Sequence, residues 1–286
     1  MGLLRVISVT SGKGGVGKTH LAANVATLCA RQGLRALAVD ADAGLANLDL
    51  VLGVTPVRHV GHLLDGAALD EVLVRTSAGL SVLPGAPGER RLVHLAPADQ
   101  RALVSVWDQL AERFDVVVLD SGPGVGDDTL FFSAAGQQVV LVVSEEPTSL
   151  ADAVVLLGAL LEHTAARQVE VVVNGVRTVR SGQTVFARLQ TAVATLPVLL
   201  RFLGHVPDDQ NLRRAAMLRR PLVDLAPTSP ASRAFERITQ ALLHAEAPVS
   251  AGVTPGLACQ LGFASSPTPT PFWGGPHAVP LKSALP

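Results

Sequence analysis

Two of the chain's three lysines, Lys13 and Lys18, stand five residues apart in Gly12-Lys13-Gly14-Gly15-Val16-Gly17-Lys18-Thr19. The pattern G-x-x-x-x-G-K-[ST], placed between a strand and a helix, is a phosphate-binding loop. Glycines let backbone N–H groups turn inward around phosphate oxygens, and the N-terminus of the following helix adds the positive end of its dipole. On this reading Gly12, Gly14, Gly15, Val16 and Gly17 form the cradle of a nucleotide site. Lys18 reaches the β- and γ-phosphates, and the Thr19 hydroxyl ligates Mg²⁺. His20 reads as a helix N-terminal residue whose backbone lies near the α-phosphate, not as an acid or base. The remaining 20 of 23 basic residues are arginines. Either the lysine pair is chance, or both positions need a compact ammonium that a guanidinium fork cannot replace.

Other polar residues gather after hydrophobic runs. Asp40 and Asp42, at i and i+2 in Val39-Asp40-Ala41-Asp42, could hold a hydrated Mg²⁺ and position a water. Asp120-Ser121-Gly122-Pro123-Gly124 reads as a Walker B carboxylate beside the metal, followed by a loop free to respond to a γ-phosphate. Asn174 closes another run, where its amide could pair with the N6 and N7 edge of adenine, although asparagine also forms turns there. Arg213, Arg214, Arg219 and Arg220 fall within eight residues and could meet phosphates such as those of DNA, or simply form a solvated helix face.

These groups need a frame. β-Branched runs at 5–10, 35–39, 80–83, 115–119, 138–143, 170–173 and 202–206 are each followed by a longer helical pattern. Runs such as Val116-Val117-Val118-Leu119 do not alternate polar with apolar, so their strands are covered on both faces. The expected fold is α/β: a mostly parallel twisted sheet flanked by helices, with right-handed crossovers and ligands beyond the strands' carboxyl ends. The first helix runs from the loop to about Gln32, with Gly33 as its cap, and the last covers 229–245. Trp107, Phe131, Phe132 and Cys29 read as core.

Composition bounds the function. The 286 residues carry 23 basic and 24 acidic side chains, a net charge of -1, and 48% hydrophobic residues. That supports a large core and argues against a general polyanion binder. No apolar run approaches the ~20 residues of a membrane span, and no signal peptide is evident, so the chain reads as cytoplasmic. Residues 1–246 read as one ATPase domain. Residues 247–286 hold eight of the 19 prolines and read as an extended or disordered tail.

Lysine at the second loop position gives a deviant Walker A sequence, and with it the chain resembles the MinD/ParA family of dimerising ATPases over residues 4–245. The resemblance implies a P-loop NTPase fold, use of ATP and Mg²⁺, and an ATP-dependent homodimer. Lys13 would reach across that dimer to the partner's phosphates. Asp40 matches the family's switch I residue near Mg²⁺, and Asp42 the residue that orients the attacking water. Asn174 and the loop Val206-Pro207-Asp208-Asp209 match the segments on either side of adenine. Glu146-Pro147-Thr148-Ser149-Leu150-Ala151-Asp152 resembles the dimer face, marking Glu146 and Asp152.

Within the family the chain most resembles the FlhG/FleN branch, regulators of flagellar number and placement. The carrying segments are 40–49, Leu92-Val93-His94-Leu95 and 145–152. This implies a flagellar or positioning regulator as protein partner, with residence at the inner face of the membrane as a further possibility. Two features depart from the branch. Few residues precede the first strand, which puts stimulation of the partner GTPase FlhF in doubt. The tail offers Leu257, Leu261, Phe263, Phe272 and Trp273 but only Lys282 as a basic group, and so lacks the basic amphipathic helix that anionic lipid favours.

Other classes fit less well. A ParA-like nucleoid-binding ATPase would use the four arginines. An iron–sulfur carrier needs converging cysteines, and only Cys29 and Cys259 exist. A tyrosine autokinase is excluded by the absence of tyrosine. A ligase of the dethiobiotin synthetase type would not call for Lys13.

Overall fold

A computed structural model describes residues 4–42, 44–86, 88, 97–163 and 168–245. The β-branched runs pair into an eight-stranded sheet. Its strands are β1 (Arg5–Ser11), β2 (Ala36–Ala41), β3 (Val74–Arg75), β4 (Ser81–Leu83), β5 (Val116–Pro123), β6 (Gln138–Val143), β7 (Gln168–Val176) and β8 (Leu199–Pro207). Their spatial order is β3-β4-β2-β5-β1-β6-β7-β8. Every neighbouring pair is parallel except β3–β4.

The helices follow the strands: α1 (Lys18–Arg31), α2 (Leu48–Leu52), α3 (Gly61–Leu64), α4 (Leu69–Val72), α5 (Pro97–Arg113) and α6 (Asp127–Ala134) come first. After them come α7 (Pro147–His163), α8 (Val179–Ala192), α9 (Gln210–Met217), α10 (Leu222–Leu225) and α11 (Pro230–His244).

Alternate residues of each central strand enter different cores, which is why the runs lack polar alternation. Ile7, Val116 and Val118 pack with α1 and with Phe235 and Ile238 of α11. Val6, Val117 and Leu119 face the opposite side, against Trp107, Phe131 and Phe132. Farther along that side, Leu141, Val143 and Val171 meet Leu156 and Leu157 of α7. Trp107, Phe131, Phe132 and Cys29 are therefore core, as expected.

The differences from the sequence reading lie at edges and ends. β3 has two residues, too short to carry a period, and it closes the sheet antiparallel to β4. β5 runs on to Pro123 because its pairing with β1 continues to Ser11↔Pro123, past a register shift. That carries Asp120 inside the strand, in register with Asp40 of neighbouring β2. α1 stops at Arg31, and Gly33 takes a left-handed φ of 83° while its N–H donates to the Ala30 carbonyl. Ser229 caps α11 by accepting from the Ser232 N–H at 3.2 Å, with Pro230 in the first turn. The 247–286 segment, Leu92 to Leu95 and Ala43 lie outside the described residues. Among the described residues, no helix is long and apolar enough to cross a membrane.

Candidate nucleotide-binding site

The loop after β1 turns on two left-handed glycines, Gly15 (φ 77°) and Gly17 (φ 95°), and delivers Lys18 as the first residue of α1. No side chain among the described residues caps α1, and its first turn holds no acid. Its leading N–H groups and the positive end of its dipole are thus left to an anion. Lys18 is buried, and that burial lowers its pKa; the charges of Asp120 and Asp42 oppose the shift.

Two contacts fix the loop's position. A Cβ on Gly12 would lie 2.2 Å from the backbone carbonyl of Asp152, so the loop rests directly on α7. From β7, Asn174 Nδ2 donates to the Val16 carbonyl at 2.6 Å, and a Cβ on Gly17 would sit 2.2 Å from that nitrogen. Asn174 therefore braces the cradle. Its second N–H and its Oδ1 remain for the bidentate contact with a base expected from the sequence.

Asp40 and Asp120 are buried side by side at the sheet's carboxyl end. Asp40 Oδ2 accepts from the Leu48 N–H at 2.9 Å, which starts α2, and its Oδ1 accepts from the Asp42 N–H at 3.2 Å. Asp42 Oδ1 accepts from the N–H groups of Gly44 (3.1 Å) and Leu45 (2.9 Å), closing a turn. Burial first, and then the neighbouring Asp120 charge, pushes Asp40 well above the usual carboxylate range. Burial raises Asp120 as well, opposed by a hydrogen bond with Thr19 and by the Lys18 charge. Asp120 Oδ1 is buried with no hydrogen-bond partner among the described residues.

Burial drives this close carboxylate pair toward protonation, and a hard divalent cation beside the orphaned Asp120 oxygen and the Thr19 hydroxyl would let the pair ionise. Among the described residues no group of three or more His, Cys, Asp or Glu is arranged to hold a metal. A Mg²⁺ at Thr19, Asp40 and Asp120 would therefore share its coordination with water and phosphate oxygens, as magnesium commonly does.

Lys13 lies at the rim. Its Nζ contacts the carboxylate of Glu146 and donates to the Thr148 hydroxyl at 2.9 Å, within the same chain. Glu146 is exposed and Asp152 half-buried. His20 Nδ1 is buried with no partner among the described residues, and burial lowers its pKa, favouring neutral imidazole. Asp208 donates its N–H to the Val176 carbonyl at 3.1 Å, joining the Pro207–Asp208 loop to the strand that carries Asn174.

Arg213, Arg214, Arg219 and Arg220 are exposed at the end of α9, well away in sequence from the loop. Arg219 is not simply solvated, since its Nη2 donates to the Val54 carbonyl at 3.0 Å. Sequence reasoning missed the role of Thr148 beside Lys13. It also missed Gly85, where a Cβ would lie 2.9 Å from Asp40 Cγ. The only local signal for Gly85 is its place just after β4.

Over residues 2–243 the chain matches the family model described as ParA: NUBPL iron-transfer P-loop NTPase. The chain belongs to the ParA/MinD family of P-loop NTPases. It is 36% identical over 239 residues to the antiactivator FleN of Pseudomonas aeruginosa, covering 83% of this chain and 85% of that protein. It is 30% identical over 247 residues to the flagellum site-determining protein YlxH of Helicobacter pylori, covering 85% and 83%. Septum site-determining MinD of Pyrococcus horikoshii, solved with Mg-ADP, superposes with a TM-score of 0.68 at 28% identity, over 83% of this chain and 95% of that one. The family, the fold and the FlhG/FleN likeness read from the motifs agree with these relatives. As a member of the ParA/MinD family, the protein is a P-loop ATPase.

Proposed function

We propose that this ParA/MinD-family ATPase is a Mg²⁺-dependent switch that dimerises around ATP and regulates flagellar number or placement. The observation that carries the dimer is Lys13. It is a lysine of the phosphate loop that points to the rim, where Glu146 and Thr148 hold it. The flagellar assignment draws on the 36% identity to antiactivator FleN across most of both chains.

In this reading the α1 N-terminus and Lys18 hold the β- and γ-phosphates, and Asn174 and the Pro207–Asp208 loop hold the base. Thr19, Asp40 and Asp120 would hold Mg²⁺, which when bound neutralises phosphate charge. Asp42 orients a water whose oxygen bonds to the γ-phosphorus as the bond to the bridging oxygen breaks. Lys18, and Lys13 from the partner subunit, neutralise charge on the transferring group. Asp42 Oδ1 would lie 3.5 Å from a Cβ on Gly122. The water-orienting acid therefore sits over Gly122, in the last residues of β5 just past Asp120.

Expression in Pseudomonas aeruginosa cells lacking FleN tests the process. A flagellar number returned to that of the parent strain supports the reading, and no change on expression contradicts it. A ParA-like reading, with DNA held by exposed Arg213, Arg214 and Arg220, is the second one; it draws on their lack of carboxylate partners among the described residues. Binding to plain duplex DNA with ATP but not ADP would favour it.

A further inference from the structure

We infer that the turn joining α9 to α10 is a docking surface for an acidic peptide segment carrying an apolar anchor, and that its occupancy is transmitted to Asp40 through Arg219. The inference goes beyond the flagellar reading and rests on it only in using ATP turnover as one readout.

The surface sets exposed apolar side chains, which water does not favour, among solvated cationic ones. Met217 is 85% exposed and Leu218 50% exposed at the end of α9. Arg213, Arg214, Arg219 and Arg220 surround them, and none has a carboxylate partner among the described residues. The negative end of the α9 dipole tolerates arginines there but does not call for bare apolar side chains between them. Arginine and methionine together are enriched at protein interfaces, where guanidinium groups pair carboxylates and a central apolar side chain fills a pocket. A phosphate backbone would use the arginines and leave Met217 without a partner. The complement is a carboxylate-rich segment with a large apolar residue.

The turn is also tied mechanically to the nucleotide site. Arg219 is the one non-glycine residue with positive φ (50°) among the described residues, a conformation that persists only when its surroundings enforce it. The enforcement comes from Gly53 and Val54, the residues that directly follow α2. Arg219 Nη2 holds the Val54 carbonyl at 3.0 Å, and the Arg219 carbonyl packs on Gly53 so closely that a Cβ there would lie 2.3 Å away. The other end of α2 is held by Asp40 through the Leu48 N–H. Asp40 and Arg219 thus grip opposite ends of one five-residue helix. The start of α9, capped by Asp209, follows the Pro207–Asp208 loop directly. A ligand that repositions Met217 to Arg220 therefore acts on the elements that nucleotide also biases, which is the physical content of coupling between sites.

The probe is a fluorescein-labelled random copolymer of glutamate and tyrosine, titrated into the full chain by anisotropy. Polyglutamate, duplex DNA and phosphatidylglycerol vesicles serve as comparisons. We expect the copolymer to bind more tightly than polyglutamate. Arg213→Glu/Arg214→Glu/Arg220→Glu should weaken it at least tenfold and Met217→Ser about tenfold, while Arg188→Glu on α8 leaves it unchanged. Copolymer should change the ATPase rate of the wild type at least twofold, and Arg219→Ala should still bind copolymer yet lose that response. Binding indifferent to Met217→Ser would mean a simple polyanion sink and overturns the docking surface. So would preferential, arginine-dependent binding of DNA or vesicles, or a mass change in Met217→Ser alone that assigns the face to a second copy. A rate response that survives Arg219→Ala overturns the coupling. Absence of any ATP turnover would fault the functional reading, whereas the copolymer titration does not depend on turnover.

Discussion

Lys13 and Glu146 are joined within one chain: the lysine Nζ that a nucleotide-sandwich dimer would need across its interface contacts the glutamate carboxylate and donates to Thr148. The pair is exposed at the glutamate and partly exposed at the lysine, so it contributes at most about 1 kcal/mol. A tether that weak can hold Lys13 in the isolated subunit and release it when phosphate charge competes.

Glu146→Gln is therefore expected to leave thermal stability nearly unchanged and to lower the ATP concentration needed for dimerisation severalfold. Analytical ultracentrifugation across an ATP titration checks this. A higher requirement would mean that Glu146 serves the interface and not the tether.

Asn174→Ala removes the brace on the Val16 carbonyl and leaves that oxygen short of a partner. The expected cost is about 1–2 kcal/mol. It should show as a roughly tenfold weaker nucleotide affinity by calorimetry, because the cradle and the base contact are lost together.

Gly12→Ala should be more damaging than its size suggests. The added methyl would sit 2.2 Å from the Asp152 carbonyl, so either the loop or α7 must move. A loss of about 2–3 kcal/mol in denaturant unfolding is expected, with nucleotide binding lost in parallel. Unchanged binding would show that the loop does not depend on α7.

The loop, the strands and the acids were legible because each is a local pattern: a glycine spacing, a β-branched run, a carboxylate after a strand. What stayed hidden was contact between segments distant in sequence. Nothing near Val16 announces Asn174, and nothing near Gly53 announces Arg219. The two-residue β3 and the extension of β5 to Pro123 came from pairing with a neighbour, which no single run encodes. The arginine cluster was visible as charge, but its division into one structural arginine and three with no carboxylate partner among the described residues needed the Val54 carbonyl.

Stability should fall with rising pH in the nucleotide-free protein. The unfolded chain releases the protons of Asp40 and Asp120 in the ordinary carboxylate range, whereas burial makes the native state retain them. Over that interval the native state binds more protons, so unfolding becomes easier as pH climbs. The buried His20, lowered by desolvation, works in the opposite sense at the acidic side, so the slope is read above about pH 7. Melting temperature should drop between about pH 7 and about pH 8 and recover with Mg-ADP, and Asp40→Asn should flatten the slope. A melting temperature that rises over this range would contradict the assigned burial.

An ATP-driven dimer whose lysine acts across the interface stands or falls on sedimentation velocity of the Asp42→Ala protein with Mg-ATP and with Mg-ADP, beside the same protein carrying Lys13→Ala. The expected result is a dimer with Mg-ATP, a monomer with Mg-ADP, and a monomer under both conditions once Lys13 is removed, with nucleotide affinity largely kept. A dimer that forms equally with ADP, or that persists without Lys13, would contradict it.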